Sequence, residues 1–157
     1  MKDLTNQMPI ATKSSKYDIS KESDPVCIAK KLFTTVKKGN VLFFYGEIGV
    51  GKTTFVRYLI NNLQKKNRLK ITEVPSPTFN LLNEYEVKEL LIQHYDLFRL
   101  KNVNETKNIG LLENYKNVST LVEWPEKIKK KPKSRIELIF ESKPRLDQRI
   151  LKINDFR

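Results

Sequence analysis

The chain is poor in the residues that build covalent staples, metal cages and membrane spans. Among 157 residues there is one cysteine, Cys27, so no intramolecular disulfide can form and nothing points to an oxidising compartment. Cys27 is expected on a helix face as a small buried apolar group. No apolar run approaches the roughly 20 residues that cross a bilayer. The opening stretch Met1-Lys2-Asp3-Leu4-Thr5-Asn6-Gln7 lacks the apolar segment of a signal peptide. A soluble, cytoplasmic protein with no membrane contact is the expectation. His94 is the sole histidine and has no second His or Cys to share a metal, so it is read as structural. Acidic residues are also short, 18 against 30 basic, and the resulting charge of +12 favours polyanionic or acidic partners. The densest basic cluster, Lys127 to Arg135, contains Pro132 and falls between predicted elements, so it is read as a solvated loop.

Glycine is scarce as well, with five in the chain, yet Gly46, Gly49 and Gly51 fall together. They belong to Gly46-Glu47-Ile48-Gly49-Val50-Gly51-Lys52-Thr53, a complete G-x-x-x-x-G-K-[ST] phosphate-binding loop. An apolar β-rich run, Val41 to Tyr45, precedes it, and a helix-like run, Thr54 to Ile60, follows. The chemistry follows from the residue types. Glycines let the backbone curl and aim successive N–H groups at phosphate oxygens, and the helix start adds its positive dipole end. Lys52 is then placed to reach the β- and γ-phosphates, and the Thr53 hydroxyl to ligate Mg²⁺.

Around this loop the pattern reads as one α/β domain. Residues 1–18 are polar and without periodicity, which predicts a loose tail ahead of a domain over 19–157. Asp24 and Pro25 suit the cap and first position of a helix carrying Ile28, Ala29, Leu32, Phe33 and Val36, with Gly39 as its C-cap. Phe79–Glu86 and Leu90–Asp96, joined by Val87-Lys88-Glu89, read as a hairpin. A weaker helix is expected from Glu105 to Tyr115, then a buried strand over Ser119–Trp124 and an antiparallel pair over 135–140 and 149–153. The sum is a P-loop NTPase-like domain with a mixed parallel and antiparallel sheet flanked by helices.

A P-loop needs an acid at the end of a neighbouring strand. Leu121-Val122-Glu123 and the run ending at Asp96 both supply one, Glu123 being the better candidate. Ser76-Pro77-Thr78 offers hydroxyls in a proline-stiffened loop of the sort that senses a γ-phosphate. Trp124 is either core or a neighbour of the nucleotide.

Four ordered blocks together resemble one family. They are Tyr45-Gly46-Glu47-Ile48-Gly49-Val50-Gly51-Lys52-Thr53-Thr54-Phe55-Val56-Arg57; Ser76-Pro77-Thr78-Phe79 running into Glu84-Tyr85; His94-Tyr95-Asp96-Leu97-Phe98-Arg99-Leu100; and Leu121-Val122-Glu123-Trp124-Pro125-Glu126. The chain is similar over about residues 20–157 to the TsaE family, bacterial P-loop ATPases that take part in forming threonylcarbamoyladenosine on tRNA. The resemblance implies an ATP site at Glu47, Ile48, Gly49, Val50, Gly51, Lys52, Thr53 and Thr54, with Thr53 and Glu123 as Mg²⁺ contacts. It implies Lys52, Asp96 and Glu123 as the catalytic group, and Ser76-Pro77-Thr78 as a first switch with Trp124 in a second. A basic residue near the C-terminus normally approaches the nucleotide in this family. Arg149 is assigned that place, with Arg145 as its competitor. Phe98 stands where the family has Tyr, Glu47 where it has Asp, and Val50 where it has a small residue.

The resemblance further implies an ATPase that is weak alone, acts on the partner pair TsaD with TsaB, and meets tRNA through that complex. The main alternative is a small P-loop kinase for a nucleoside or metabolite, against which stand the few, scattered arginines and the lack of a lid-sized insertion. A nucleic-acid-binding module with an incidental P-loop lacks the interleaving of aromatic and basic residues that reading requires.

Overall fold

Val41 to Phe44 are buried on both faces of their strand, which calls for a central position with layers above and below. The computed structural model describes residues 14–157 and places them there. In chain order the elements are β1 (Ser14–Asp18), α1 (Ser23–Leu32), β2 (Val41–Tyr45), α2 (Lys52–Lys66), β3 (Leu82–Val87), β4 (Leu90–Asp96), α3 (Glu105–Asn108), β5 (Ser119–Glu123), β6 (Ile136–Lys143) and β7 (Gln148–Asp155). They build a seven-stranded sheet of order β1-β7-β6-β2-β5-β4-β3. The pairs β6·β2, β2·β5 and β5·β4 are parallel, while β7 and β1 on one edge and β3 on the other are antiparallel.

Alternation along the strands divides the core in two. Leu42, Phe44, Ile92 and Leu121 face α1 and α2, meeting Leu32, Phe55, Leu59 and Ile60. Val41, Phe43, Tyr95 and Val122 face the other way, under Leu97, Leu100, Leu111 and Ile128 from the irregular segments. Helix α2 buries Phe55, Val56, Leu59, Ile60 and Leu63, the spacing of a single apolar stripe. Lys65 and Lys66 in its last turn oppose the negative end of its dipole.

Three segments depart from the sequence-based expectations. Residues 1–13 lie outside the described residues, but Ser14–Asp18, expected to be loose tail, forms β1 on β7. Three of its five residues are exposed and Tyr17 alone packs on the core, so no hydrophobic alternation marks it; backbone pairing with an exposed edge makes it a strand. The first helix stops at Leu32, and a tight turn over Phe33–Thr35 follows it. Gly39, at φ +83°, is therefore no cap: its N–H donates to Val118 O, pinning this loop to the start of β5. The helix expected over 105–115 is one turn, α3, because Gly110 and Leu112 both take positive φ and break the ladder. Cys27 is half-buried rather than in the core.

Candidate functional site

Parallel strands β2, β5 and β4 end together, and register decides what meets there. Phe44 pairs with Glu123, and Glu123 with Asp96, so both carboxylates emerge at one level beside the loop that follows β2. They share a face with Phe44 and Leu121, the face covered by α2, whose first turn carries Lys52 and Thr53. A cleft of about 350 Å³ results, lined by the loop and by Ser76, Thr78, Asp96, Phe98, Glu123 and Trp124.

The loop itself is built tightly. At Gly46, φ is +142° and any Cβ would come within 2.8 Å of Phe140 O and 2.9 Å of Val50 Cγ1, so glycine is obligatory. Val50 points into the core, 7% exposed, and keeps its side chain off the cleft. Gly51 takes φ +106° at the N-cap of α2, and no side chain caps the helix. The first-turn N–H groups of α2 are thus left for an anion, the arrangement that binds phosphate in P-loops.

Lys52 folds back onto the loop. Its Nζ donates to Gly46 O at 2.5 Å and Glu47 O at 2.9 Å, and sits 4.1 Å from the centre of the Trp124 ring. Burial pushes its pKa down, while the nearby carboxylates of Glu123, Asp96 and Glu126 pull it back up. The ammonium is therefore poorly solvated and already aimed at the cleft.

Thr53 Oγ1 donates to Glu123, 2.8 Å from Oε1 and 3.0 Å from Oε2, and Glu123 is 2% exposed. A hydroxyl and a carboxylate side by side at an open cleft are hard oxygen donors, and they fit a magnesium ion that takes its remaining ligands from water and phosphate. No cluster of three or more His, Cys, Asp or Glu that could cage a metal exists among the described residues. Asp96 is differently employed. Its Oδ2 accepts from Ser76 Oγ at 3.1 Å and Thr78 Oγ1 at 2.8 Å, and its Oδ1 from the Phe98 N–H at 2.9 Å. It ties the 76–78 loop to the turn after β4.

A second cavity, also about 350 Å³, lies on the other flank of the loop. Gly49, Val50, Gly51 and Thr54 form one wall, and Ile19, Glu22, Tyr58, Phe140 and Arg149 are among the residues opposite. Arg149 is set there by its main chain: its carbonyl accepts from the Ile19 N–H at 2.9 Å and its N–H donates to Ser20 Oγ at 3.1 Å. Arg145, in the turn before β7, lines neither cavity.

Gly49, Gly51, Lys52, Thr53, Thr54, Asp96 and Glu123 are thus brought together, and Ile48 joins them with 72% of its surface exposed. Glu47 contributes its backbone carbonyl to Lys52 rather than a side chain to the cleft. Trp124, left undecided by the sequence, adopts φ +60° and lines the cleft, its ring 5.0 Å from that of Phe98. The residue the sequence understated is His94. It is fully buried and its Nε2 lies 2.9 Å from Glu123 Oε1. Its position two before Asp96 on one strand was the available signal, since that spacing puts both side chains on one face.

Comparison with known proteins agrees with this geometry. Residues 19–150 match the family model described as threonylcarbamoyl adenosine biosynthesis protein TsaE. The tRNA threonylcarbamoyladenosine biosynthesis protein TsaE of Rickettsia bellii is 38% identical over 74% of this chain and 78% of its own length. That of Rickettsia felis is 36% identical over 71% of this chain and 63% of its own length. That of Aquifex aeolicus is 34% identical over 71% and 77%. The crystal structure of YdiB from Bacillus subtilis has the same fold, with TM-score 0.66 and 23% identity, covering 92% of this chain and 87% of that one. A phosphate-binding loop, two carboxylates and a switch-like loop assembled on this sheet, and matched from residue 19 to residue 150, place the chain in the TsaE family.

Proposed function

We propose that this chain binds and hydrolyses Mg·ATP in support of threonylcarbamoyladenosine formation on tRNA, acting on a partner pair, TsaD with TsaB. The observation that carries the reading is the single cleft in which the loop, Lys52, Thr53, Glu123 and Asp96 converge. The β- and γ-phosphates lie along the loop N–H groups, with Lys52 turning from the carbonyls of Gly46 and Glu47 toward them. Thr53 and Glu123 hold the cation, which when bound offsets charge building on the phosphate oxygens. Asp96, released from Ser76 and Thr78, orients the water that attacks the γ-phosphorus.

Two observations support dependence on a partner. The 76–78 loop reaches the cleft through hydroxyl contacts to Asp96, an arrangement not preorganised around a transferring phosphoryl group. The mouth of the cleft is rimmed by exposed apolar side chains, Ile48 at 72% and Phe98 at 43%, with Phe79 at 83% following Thr78 in the chain. Such a rim is a surface for another protein to cover. The test is ATP hydrolysis with and without the TsaD–TsaB pair. Slow turnover alone and a marked rise with the pair are expected; vigorous turnover without any partner would sink the reading.

The second cavity suits the base and ribose, with Tyr58 as an apolar wall and Arg149 as a cation. Arg149→Ala is expected to weaken ATP affinity about three- to tenfold, the scale of one charge-assisted contact near solvent. Arg145→Ala serves as the control and should bind as the parent does. Calorimetric titration with ATP separates the two, and equal losses in both would remove Arg149 from the site.

A further inference from the structure

His94 is the sole histidine of the chain, and packing alone gives no reason for an imidazole at its place. The ring is completely buried in β4, and its Nδ1 has no hydrogen-bond partner. An apolar side chain of the same size would fill that space without leaving a polar atom unpaired. What the ring does have is one hydrogen bond, between Nε2 and Glu123 Oε1 at 2.9 Å. Glu123 as a carboxylate only accepts, so Nε2 carries the hydrogen.

The other group on Glu123 is Thr53, which donates to both carboxylate oxygens from the first turn of α2. Thr53 stands in the first turn of α2, at the phosphate-binding loop, whereas His94 stands on β4, held in the sheet between β5 and β3. Three side-chain torsions separate the Glu123 carboxylate from its backbone, and the imidazole is the fixed point that removes their freedom. We propose that His94 is a positioning residue whose Nε2–H holds Oε1 of Glu123, so that the carboxylate is presented with Thr53 to the divalent cation entering with the nucleotide. The proposal rests on the Mg·nucleotide reading of this cleft and adds to it the group that orients the acidic ligand. Hydrogen-bonded supports of this kind commonly govern metal affinity by 10- to 100-fold.

The experiment uses the full chain and ADP, so that hydrolysis plays no part. Magnesium is titrated at fixed nucleotide while binding is followed by fluorescence of Trp124, the single tryptophan, which lines the cleft. His94→Phe is expected to raise the magnesium concentration at half-effect by about 10- to 100-fold. ADP binding in EDTA should stay parental. His94→Gln, which keeps an N–H at similar reach, should recover most of the loss. On a Glu123→Gln background, His94→Phe should add little, because a support has no effect once the carboxylate it holds is gone. A thermal melt establishes folding, and His94→Met, more adaptable in a core, replaces His94→Phe if that variant does not melt cooperatively. A parental magnesium midpoint in the folded variant, or an undiminished effect on the Glu123→Gln background, overturns the assignment of His94. A parent whose ADP binding ignores magnesium overturns the Mg·nucleotide reading and His94's role together.

Discussion

Lys52→Ala is expected to lose about 2–4 kcal/mol of nucleotide binding, roughly 30- to 1,000-fold in affinity, and with it all detectable ATP hydrolysis. The size of the effect comes from the environment of the ammonium. Lys52 is only 5% exposed, and water contributes little to screening a phosphate placed beside it. The free protein should also register the change. Lys52 donates to Gly46 O and Glu47 O, so its removal leaves two loop carbonyls without that donor and loosens the loop before any ligand is added. It also removes the cation 4.1 Å from the Trp124 ring, which should shift tryptophan emission in the absence of nucleotide. The core beneath the loop is untouched, so cooperative unfolding should persist. Calorimetric titration with Mg·ATP decides the matter, and parental affinity in the variant would take the loop out of the functional argument.

Asp96 should show the next largest effect, and two substitutions divide its roles. The carboxylate, 3% exposed, accepts from the hydroxyls of Ser76 and Thr78 and from the Phe98 N–H. Asp96→Ala strands those donors and should cost about 2–3 kcal/mol of stability, visible as a lower melting temperature and a protease-sensitive 76–81 segment. Asp96→Asn keeps an oxygen for the Phe98 N–H, and its amide can donate to a hydroxyl that rotates to accept. Stability should therefore stay near parental. If the carboxylate also orients the attacking water, Asp96→Asn should still lower partner-stimulated hydrolysis by about 10²- to 10⁴-fold while ATP binds normally. Full hydrolysis in Asp96→Asn would leave Asp96 as an anchor for the switch-like loop and nothing more.

Much of this site is legible in the sequence because its central part is local. A phosphate cradle needs its glycines, lysine and threonine consecutive, so Gly46 to Thr53 announce themselves within one turn of chain. The hairpin of β3 and β4 and the β6–β7 pair were readable for the same reason, their alternation being bounded by short turns. The segments that depart from their local pattern are those where distant partners override it. Ser14–Asp18 is a strand only because β7 offers it an edge, and Gly39 is fixed by Val118, not by the helix before it. At 105–115 the apolar spacing suggested a helix, but Gly110 and Leu112 turn the chain instead.

The acidic residues mark the boundary between the two kinds of information. In the sequence, Glu123 and Asp96 are both strand-ending acids, with Glu123 the better candidate for the cation. Placing β5 beside β2 and β4 beside β5 puts both at the cleft, where Thr53 in the first turn of α2 donates to Glu123 while Asp96 accepts from Ser76 and Thr78. His94 is the sharper case: its place two before Asp96 puts it on the same strand face, but only the pairing of β4 with β5 brings it to Glu123, 29 positions away. Likewise, chain order does not separate Arg149 from Arg145, and it is the placing of β7 that puts the former on the wall of the second cavity. Chemistry carried by consecutive residues is written in the chain's order, because backbone geometry alone brings those groups together. The division of labour among side chains from separate strands is set by register and packing, which arise only when the whole sheet closes around them.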